Sequence, residues 1–275
     1  MSVPAEPTLP QTAAAQSASV FDPYAPWLLA ALLLLAAWGL QRRWQRARLR
    51  QRLGVAAPEA PAAQLRWSIA GPVLIVCALL ITVLAWGVTA GKASALGQRL
   101  QGWDETAQLW AQSLTLPGLH EFAVLLTDIG RGGALVPLIG LVALLLLRRQ
   151  QSFLALVWII GCATNGLTVR VLKNFIGRAR PPQAPTDAFA GLSFPSGHAA
   201  SALLVFGLLI WLMQDWVAPS RRVFWAVLGA LLITGIAASR VILQAHFLTD
   251  VLGGLLLGAF FLVLTIAVTE HARRW

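Results

Sequence analysis

In the stretch "GLSFPSGHAASALL" (191–204) a serine, a glycine and a histidine stand together where a polar loop enters a long apolar run. If a helix begins at Ser196–Gly197–His198, its first turn offers unpaired N–H groups and a positive dipole end to an anion, and the glycine lets that anion approach the backbone. A plain serine N-cap with an interfacial histidine fits the same residues. A second stretch, "SRVILQAHFLTD" (239–250), sets His246 and Asp250 four residues apart. On a helix that spacing puts both on one face, with Cβ atoms about 5–6 Å apart. The carboxylate can then take a hydrogen bond from one ring nitrogen and leave the other lone pair for an electrophile. A purely structural hydrogen bond has the same spacing. Around these lie three cations, Lys173 and Arg180 in a third stretch, "KNFIGRARPP" (173–182), and Arg240 in the second, where the only acid is Asp250. That surplus favours an anionic ligand, and guanidinium forks match phosphate oxygens. A metal is disfavoured, because the clusters lack Cys and Glu ligands and their cations would repel a divalent ion. With His246 as nucleophile and His198 as proton donor to a leaving oxygen, the set describes a phosphoryl-transfer site.

The elements that must hold these residues are membrane helices. The chain of 275 residues is 57% hydrophobic and 12% charged, with mean hydropathy +0.70, which excludes a single soluble domain. Twelve tryptophans against one tyrosine fit interfacial belts. Seven apolar segments stand out, at about 24–40, 68–90, 122–147, 152–172, 197–213, 223–241 and 247–268. The expected fold is therefore all-α, a polytopic membrane helix bundle. The first segment is the shortest, with 14 unbroken apolar residues from Trp27 to Leu40, and is expected to span with Trp and Arg anchors. Residues 1–23 contain no Lys or Arg, so they lack a signal's basic n-region and are expected to form a disordered Pro/Ala/Ser-rich tail.

Loop charges give the orientation. Loops 41–66, 148–151, 214–222 and the tail 269–275 carry thirteen Lys and Arg residues, against eight on the opposite side. The richer side is assigned to the cytoplasm, which puts the carboxyl end inside and all three polar clusters outside. Six arginines in "QRRWQRARLRQR" (41–52) account for much of the net charge of +10. They read as a flank meeting anionic lipid head groups, with nothing modular or stacking beside them to suggest nucleic acid. The polar segment 91–122, with Leu100, Trp103, Ala107, Leu109 and Trp110 at roughly helical spacing, is expected to lie on the outer surface or to serve as a connector. Cys77 and Cys162 fall inside apolar runs and supply neither a disulfide framework nor a metal cluster. Asp128 and Arg131 in "TDIGRGG" read as a structural pair, Asn165 and Arg170 as facing the bundle interior, and Arg178 as a contact to a second phosphate or a head group, or as a solvated loop charge.

Three motifs in order, Lys-x6-Arg-Pro in "KNFIGRARP", Pro-Ser-Gly-His in "PSGH" and Ser-Arg-x5-His-x3-Asp in "SRVILQAHFLTD", resemble the signature of the type-two phosphatidic acid phosphatase superfamily, whose soluble branch includes the vanadium haloperoxidases. The resemblance covers roughly residues 67–268. It implies a six-helix core, which the last six segments in 67–275 supply; the tail 1–23 and the extra membrane helix with its arginine loop in 24–66 lie outside what the resemblance covers. It also implies a metal-independent, cofactor-free phosphatase; separately, short loops and an Ala/Leu/Arg-rich composition point to a bacterial cytoplasmic membrane. The substrates it implies are lipid phosphates or diphosphates, such as undecaprenyl diphosphate, phosphatidylglycerol phosphate, phosphatidate or a lipid A phosphate. Carried over by position, His246 would form a phosphohistidine, Asp250 would orient it and His198 would protonate the leaving oxygen and then activate water. Lys173, Arg180, Ser196, Gly197 and Arg240 would hold the phosphate oxygens. A lipid-to-lipid phosphotransferase would use the same residues. A phosphate-lipid transporter or scaffold would have no need of a nucleophile.

Overall fold

The computed structural model describes residues 65–184 and 191–272, with Gln45 alone ahead of them. The expected tail, first membrane segment and arginine loop lie outside the described residues. Eight α-helices follow one another among those described: α1 (Trp67–Ala90), α2 (Ala95–Ser113), α3 (Leu119–Ile129), α4 (Gly132–Arg148), α5 (Ser152–Ile176), α6 (Gly197–Trp216), α7 (Pro219–Ile242) and α8 (Leu248–Ala272). Helices α1, α5, α6, α7 and α8 are each long and apolar enough to cross a bilayer, and α3 with α4, bent by 43° at their junction, are so only when taken together. The protein is an integral membrane protein with an all-helical fold. The apolar side chains it leaves exposed, among them Ile75, Leu79, Leu167, Val223 and Leu231, need hydrocarbon around them.

The single span expected over 122–147 is broken. Three glycines, Gly130, Gly132 and Gly133, surround Arg131 and carry the poorest helix propensity short of proline. Arg131 adopts an extended backbone as the N-cap of α4 and points its charge outward. Gly130 also allows close packing: a Cβ there would sit 2.5 Å from Ile236 Cγ2 and 3.3 Å from His198 Cδ2. The break thus lies against the imidazole of α6.

A core of Leu146, Trp158, Leu204, Leu208, Leu212 and Ile236 joins α4 through α7, with Trp158 Nε1 donating to the Ile139 carbonyl at 3.1 Å. Helix α8 meets α6 through small residues spaced by four. A Cβ at Gly254 would lie 2.4 Å from the Ser196 carbonyl oxygen, and one at Gly258 would lie 2.5 Å from that of Ala200. Glycine at both positions lets the two backbones touch, the usual means of tight helix packing in membranes.

Helix α2 departs from its expected role. Gly97, Leu100, Asp104, Gln108 and Ala111 form its buried face, while Trp103, Leu109 and Trp110 point outward. The apolar residues are split between two faces, and two polar residues face the bundle because their partners are there. Asn165 is buried as expected, but Arg170 is exposed. Five residues along a helix turn it about 140° from Asn165, away from the interior.

Candidate active site

All three polar clusters meet at one end of the bundle. Helix α5 ends at Gly177, whose left-handed φ of 67° and N–H bond to the Lys173 carbonyl turn the chain back across the bundle end. Arg178 and Arg180 follow directly. Helix α7 ends in a tight turn in which the Arg240 carbonyl accepts from both Ala245 N and His246 N at 3.1 Å. His246 therefore stands in that turn, ahead of α8, and the i,i+4 relation to Asp250 does not come from a continuous helix. Asp250 reaches back as a capping carboxylate, its Oδ2 accepting from Phe247 N at 2.9 Å. The same oxygen lies 3.4 Å from His246 Nδ1 and accepts from Ser193 Oγ, which is itself 3.4 Å from Nδ1.

The other ring nitrogen decides the tautomer. Arg180 Nη1 lies 3.2 Å from His246 Nε2. A guanidinium can only donate, so Nε2 is the acceptor and carries the lone pair, while the ring proton sits on Nδ1 facing Asp250. Burial holds this imidazole below its ordinary value; the Asp250 hydrogen bond and charge pull it back up, and the Arg180 and Arg240 guanidiniums push it down. Neutral, with Nε2 unprotonated, is the state a nucleophile needs, and the Arg180 bond must yield to an approaching phosphorus.

Ser196 and His198 sit beside this dyad because α6 and α8 touch: Ser196 N donates to the Asp250 carbonyl at 2.9 Å. Ser196 is the N-cap of α6, yet its hydroxyl makes no capping bond. Ser196 Oγ and His198 Nε2 are both buried without a hydrogen-bond partner among the described residues. The serine-cap alternative therefore fails. Two buried polar atoms next to a cationic patch fit phosphate oxygens, since burying such groups unpaired costs about 1–3 kcal/mol each.

Lys173 Nζ donates to the carbonyls of Leu192 and Ser193, the latter at 3.1 Å, and so pins the loop that leads to Ser196. Arg240 is fully buried, with Nη1 donating to Thr127 Oγ1 at 2.6 Å. Arg180 also binds the carbonyls of Ala245 at 2.7 Å and Gly191 at 3.1 Å. The Asp128–Arg131 pair forms at 3.4 Å and is half exposed, at the rim where α3 meets α4. A cleft of about 470 Å³ opens beside Arg180 between α1, α2 and the loop after α5, with Lys92, Gln101, Glu105 and Phe247 among its walls.

Sequence reasoning missed several residues here. Arg178 is not a solvated charge: it pairs with Asp250 Oδ1 and Asp104 Oδ2, both at 2.6 Å, and it also lines the cleft beside Arg180. Asp104 also takes the Thr249 amide at 2.9 Å and its hydroxyl at 2.8 Å, and Gln108 Nε2 reaches the His246 carbonyl at 3.3 Å. Arg178, Ser193 and Thr249 lie within the stretches that drew attention to the site, whereas Asp104 and Gln108 carried no local signal.

The PAP2 superfamily model matches residues 153–274, which hold all three clusters. Phosphatidylglycerophosphatase B of Bacillus subtilis (strain 168) is 28% identical over 179 residues, covering 64% of this chain and 88% of that protein. A lipid A 1-phosphatase of Rhizobium johnstonii is 30% identical over 253 residues, covering 85% of this chain and 89% of that protein. The crystal structure of a transmembrane PAP2-type phosphatidylglycerolphosphate phosphatase from Bacillus subtilis superposes with a TM-score of 0.66 at 26% identity, over 74% of this chain and 98% of that one. Extended similarity of that kind, over a bundle that gathers the three motifs at one end, places the chain in the PAP2 superfamily as a membrane-embedded phosphatase of lipid phosphates.

Proposed function

We propose that the enzyme works at the outer face of a bacterial cytoplasmic membrane, without a metal, through a phosphohistidine on His246. The observation that carries this reading is the 3.2 Å contact between Arg180 and His246 Nε2, which keeps that nitrogen unprotonated and sets a guanidinium for phosphate beside it. His246 Nε2 attacks phosphorus and forms a P–N bond. The P–O bond to the lipid alcohol, or the P–O–P bond of a diphosphate, breaks, and His198 passes a proton to the departing oxygen. His198 then takes a proton from water, hydroxide attacks phosphorus, and the P–N bond breaks to release inorganic phosphate. Asp250 holds the Nδ1 proton throughout. Arg180, Arg240, Lys173, Ser196 and the Gly197 amide stabilise the charge spread over the phosphoryl oxygens. The cations Arg180 and Arg240 beside the dyad would repel a divalent ion, which supports the metal-free reading.

Residues 67–275 form the phosphatase unit in this proposal and 24–66 an added anchor. The substrate class is a lipid whose phosphate projects from the outer leaflet: phosphatidylglycerol phosphate, a lipid A phosphate or undecaprenyl diphosphate. Its polar head group reaches into the cleft beside Arg180. The test is phosphate release by detergent-solubilised protein in EDTA, across these lipids, with His246→Ala as the blank. Release by the wild type, with an acid-labile phosphoenzyme that His246→Ala lacks, is the expected result. Loss of activity in EDTA, near-normal activity of His246→Ala, or transfer of the phosphate to a second lipid would each overturn it.

A further inference from the structure

We propose that Asp104 and Arg178 are positioning residues for the His246–Asp250 dyad, so that the surface helix α2 belongs to the catalytic machinery. This rests on the proposed roles of His246 and Asp250. Arg178 uses both arms of its fork. Nη1 donates to Asp250 Oδ1 at 2.6 Å and to Thr249 Oγ1 at 2.8 Å, and Nη2 donates to Asp104 Oδ2 at 2.6 Å. Its guanidinium also lies over the Phe247 ring, 4.2 Å from the centroid. Asp104 closes the ring through the amide and hydroxyl of Thr249, and Gln108, one turn along α2, holds the His246 carbonyl. His246, Phe247, Thr249 and Asp250 are each gripped by this group.

The division of labour on Asp250 shows why the grip matters. Oδ2 faces Phe247 N, Ser193 Oγ and His246 Nδ1, and Oδ1 faces Arg178. With Oδ1 fixed, the carboxylate cannot rotate, and Oδ2 stays on the imidazole. Asp104 in turn fixes Arg178. Its side chain is 3% exposed and that of Arg178 is 16% exposed, so neither pairs in bulk water, where such bonds lose most of their worth. Asp104 and Arg178 also line the cleft beside Arg180, but Lys173, Arg180 and Arg240 are left in place, so geometry set this way acts on the chemical step more than on binding.

The test compares Arg178→Gln, Arg178→Lys, Asp104→Asn and the double variant Asp104→Asn/Arg178→Gln with wild type and His246→Ala. All are full-length, in detergent, and confirmed as folded by size exclusion and thermal unfolding. Displacing a reacting group by about 1 Å costs on the order of 10²-fold. Arg178→Gln is expected to lose about that much kcat with KM within twofold, and Asp104→Asn about tenfold. The double variant should lose no more than Arg178→Gln alone, as residues acting as one unit are non-additive. Arg178→Lys, which keeps a cation between the carboxylates, should recover part of the loss and reads the proposal if the glutamine variant does not fold. Wild-type kcat in Arg178→Lys and Asp104→Asn, a loss confined to KM, or a double variant whose loss is the product of the singles would overturn it. An inactive His246→Ala beside fully active Arg178 variants would overturn this proposal alone. An active His246→Ala would overturn the nucleophile assignment instead.

Discussion

Thr127 offers the sharpest quantitative test, because its hydroxyl is the second link in a polarised chain that ends at Arg240, which on the proposed reading binds phosphate. Arg240 Nη1 donates to Thr127 Oγ1 at 2.6 Å, Thr127 and Ser239 share a hydrogen bond of 2.8 Å, and Ser239 Oγ donates to the Ile236 carbonyl at 2.7 Å. Since the Ser239 proton is committed to Ile236 and Arg240 can only donate, the Thr127 proton points at Ser239. Thr127→Val keeps the shape and removes the acceptor that aims Arg240. A hydrogen bond to a charged group is worth about 1.5–3 kcal/mol, and leaving the donor buried costs at the upper end of that range. At about 1.4 kcal/mol per decade, kcat/KM should fall roughly 10- to 150-fold. Ser239→Ala cuts a bond between neutral groups, worth about 1 kcal/mol, and should cost only about fivefold. The assay is steady-state phosphate release from a lipid phosphomonoester, with thermal unfolding of each variant recorded in the same detergent. If Thr127→Val stays within twofold of wild type, or if Ser239→Ala is the more damaging of the two, Arg240 is not aimed in this way.

Two further outcomes follow from the geometry. His246 is held below its ordinary value by burial first, then by Arg180 and Arg240, against the upward pull of Asp250. The neutral nucleophile therefore persists as pH falls, and the acid limb of kcat/KM should lie below about 6.5 after correction for the substrate's own ionisation. Asp250→Asn, which removes the upward pull, should move that limb further to acid while lowering kcat; a wild-type limb at or above the ordinary imidazole value would contradict the assignment. Gly254→Ala must push α8 off α6, since its Cβ would lie 2.4 Å from the Ser196 carbonyl oxygen, whereas a Cβ at Gly71 meets nothing within 4 Å. The first should destabilise by about 1–3 kcal/mol and lower activity, the second should do neither, and equal melting temperatures would refute the close-packing argument.

How much of this could be read from the chain alone depends on the range over which each feature is encoded. Apolar runs report directly on the cost of exposing polar backbone in lipid, so the spans α1, α5, α6, α7 and α8 lie close to where hydropathy puts them. The break at Gly130 was legible as "GRGG" but outweighed by the apolar run on either side. Lys173, Arg180, Ser196, His198, Arg240, His246 and Asp250 announce themselves because a charge or imidazole beside a membrane span has to be paired or used. Asp104 gives no such signal. It is one acid in a polar helix, and its partners Arg178 and Thr249 are 74 and 145 residues away. Nothing at that separation is fixed by spacing or periodicity, so α2 read as a surface element although its inner face holds the catalytic turn.

The charges at the bundle end bear on the substrate. Lys173, Arg178, Arg180 and Arg240 are buried or half-buried there, together with Asp104 and Asp250. Arg178 spans both carboxylates, so it joins them in a group of net charge −1. Lys173, Arg180 and Arg240 add three positive charges, and the whole set carries +2. The Asp128–Arg131 pair at the rim is neutral and leaves this sum unchanged. Uncompensated charge of that size in a partly dry site is costly, and the site has two further polar atoms, Ser196 Oγ and His198 Nε2, buried without partners among the described residues. A phosphate dianion answers both: it brings the opposite charge and the oxygens those atoms need. A phosphodiester, with one negative charge and two blocked oxygens, satisfies neither count. On the proposed reading the enzyme therefore selects terminal phosphates, and a lipid phosphodiester such as phosphatidylglycerol should be hydrolysed at least 10²-fold more slowly than its terminally phosphorylated counterpart, a ratio of about 3 kcal/mol in transition-state binding. Comparable phosphate release from the two lipids would show that the charge balance does not set the choice.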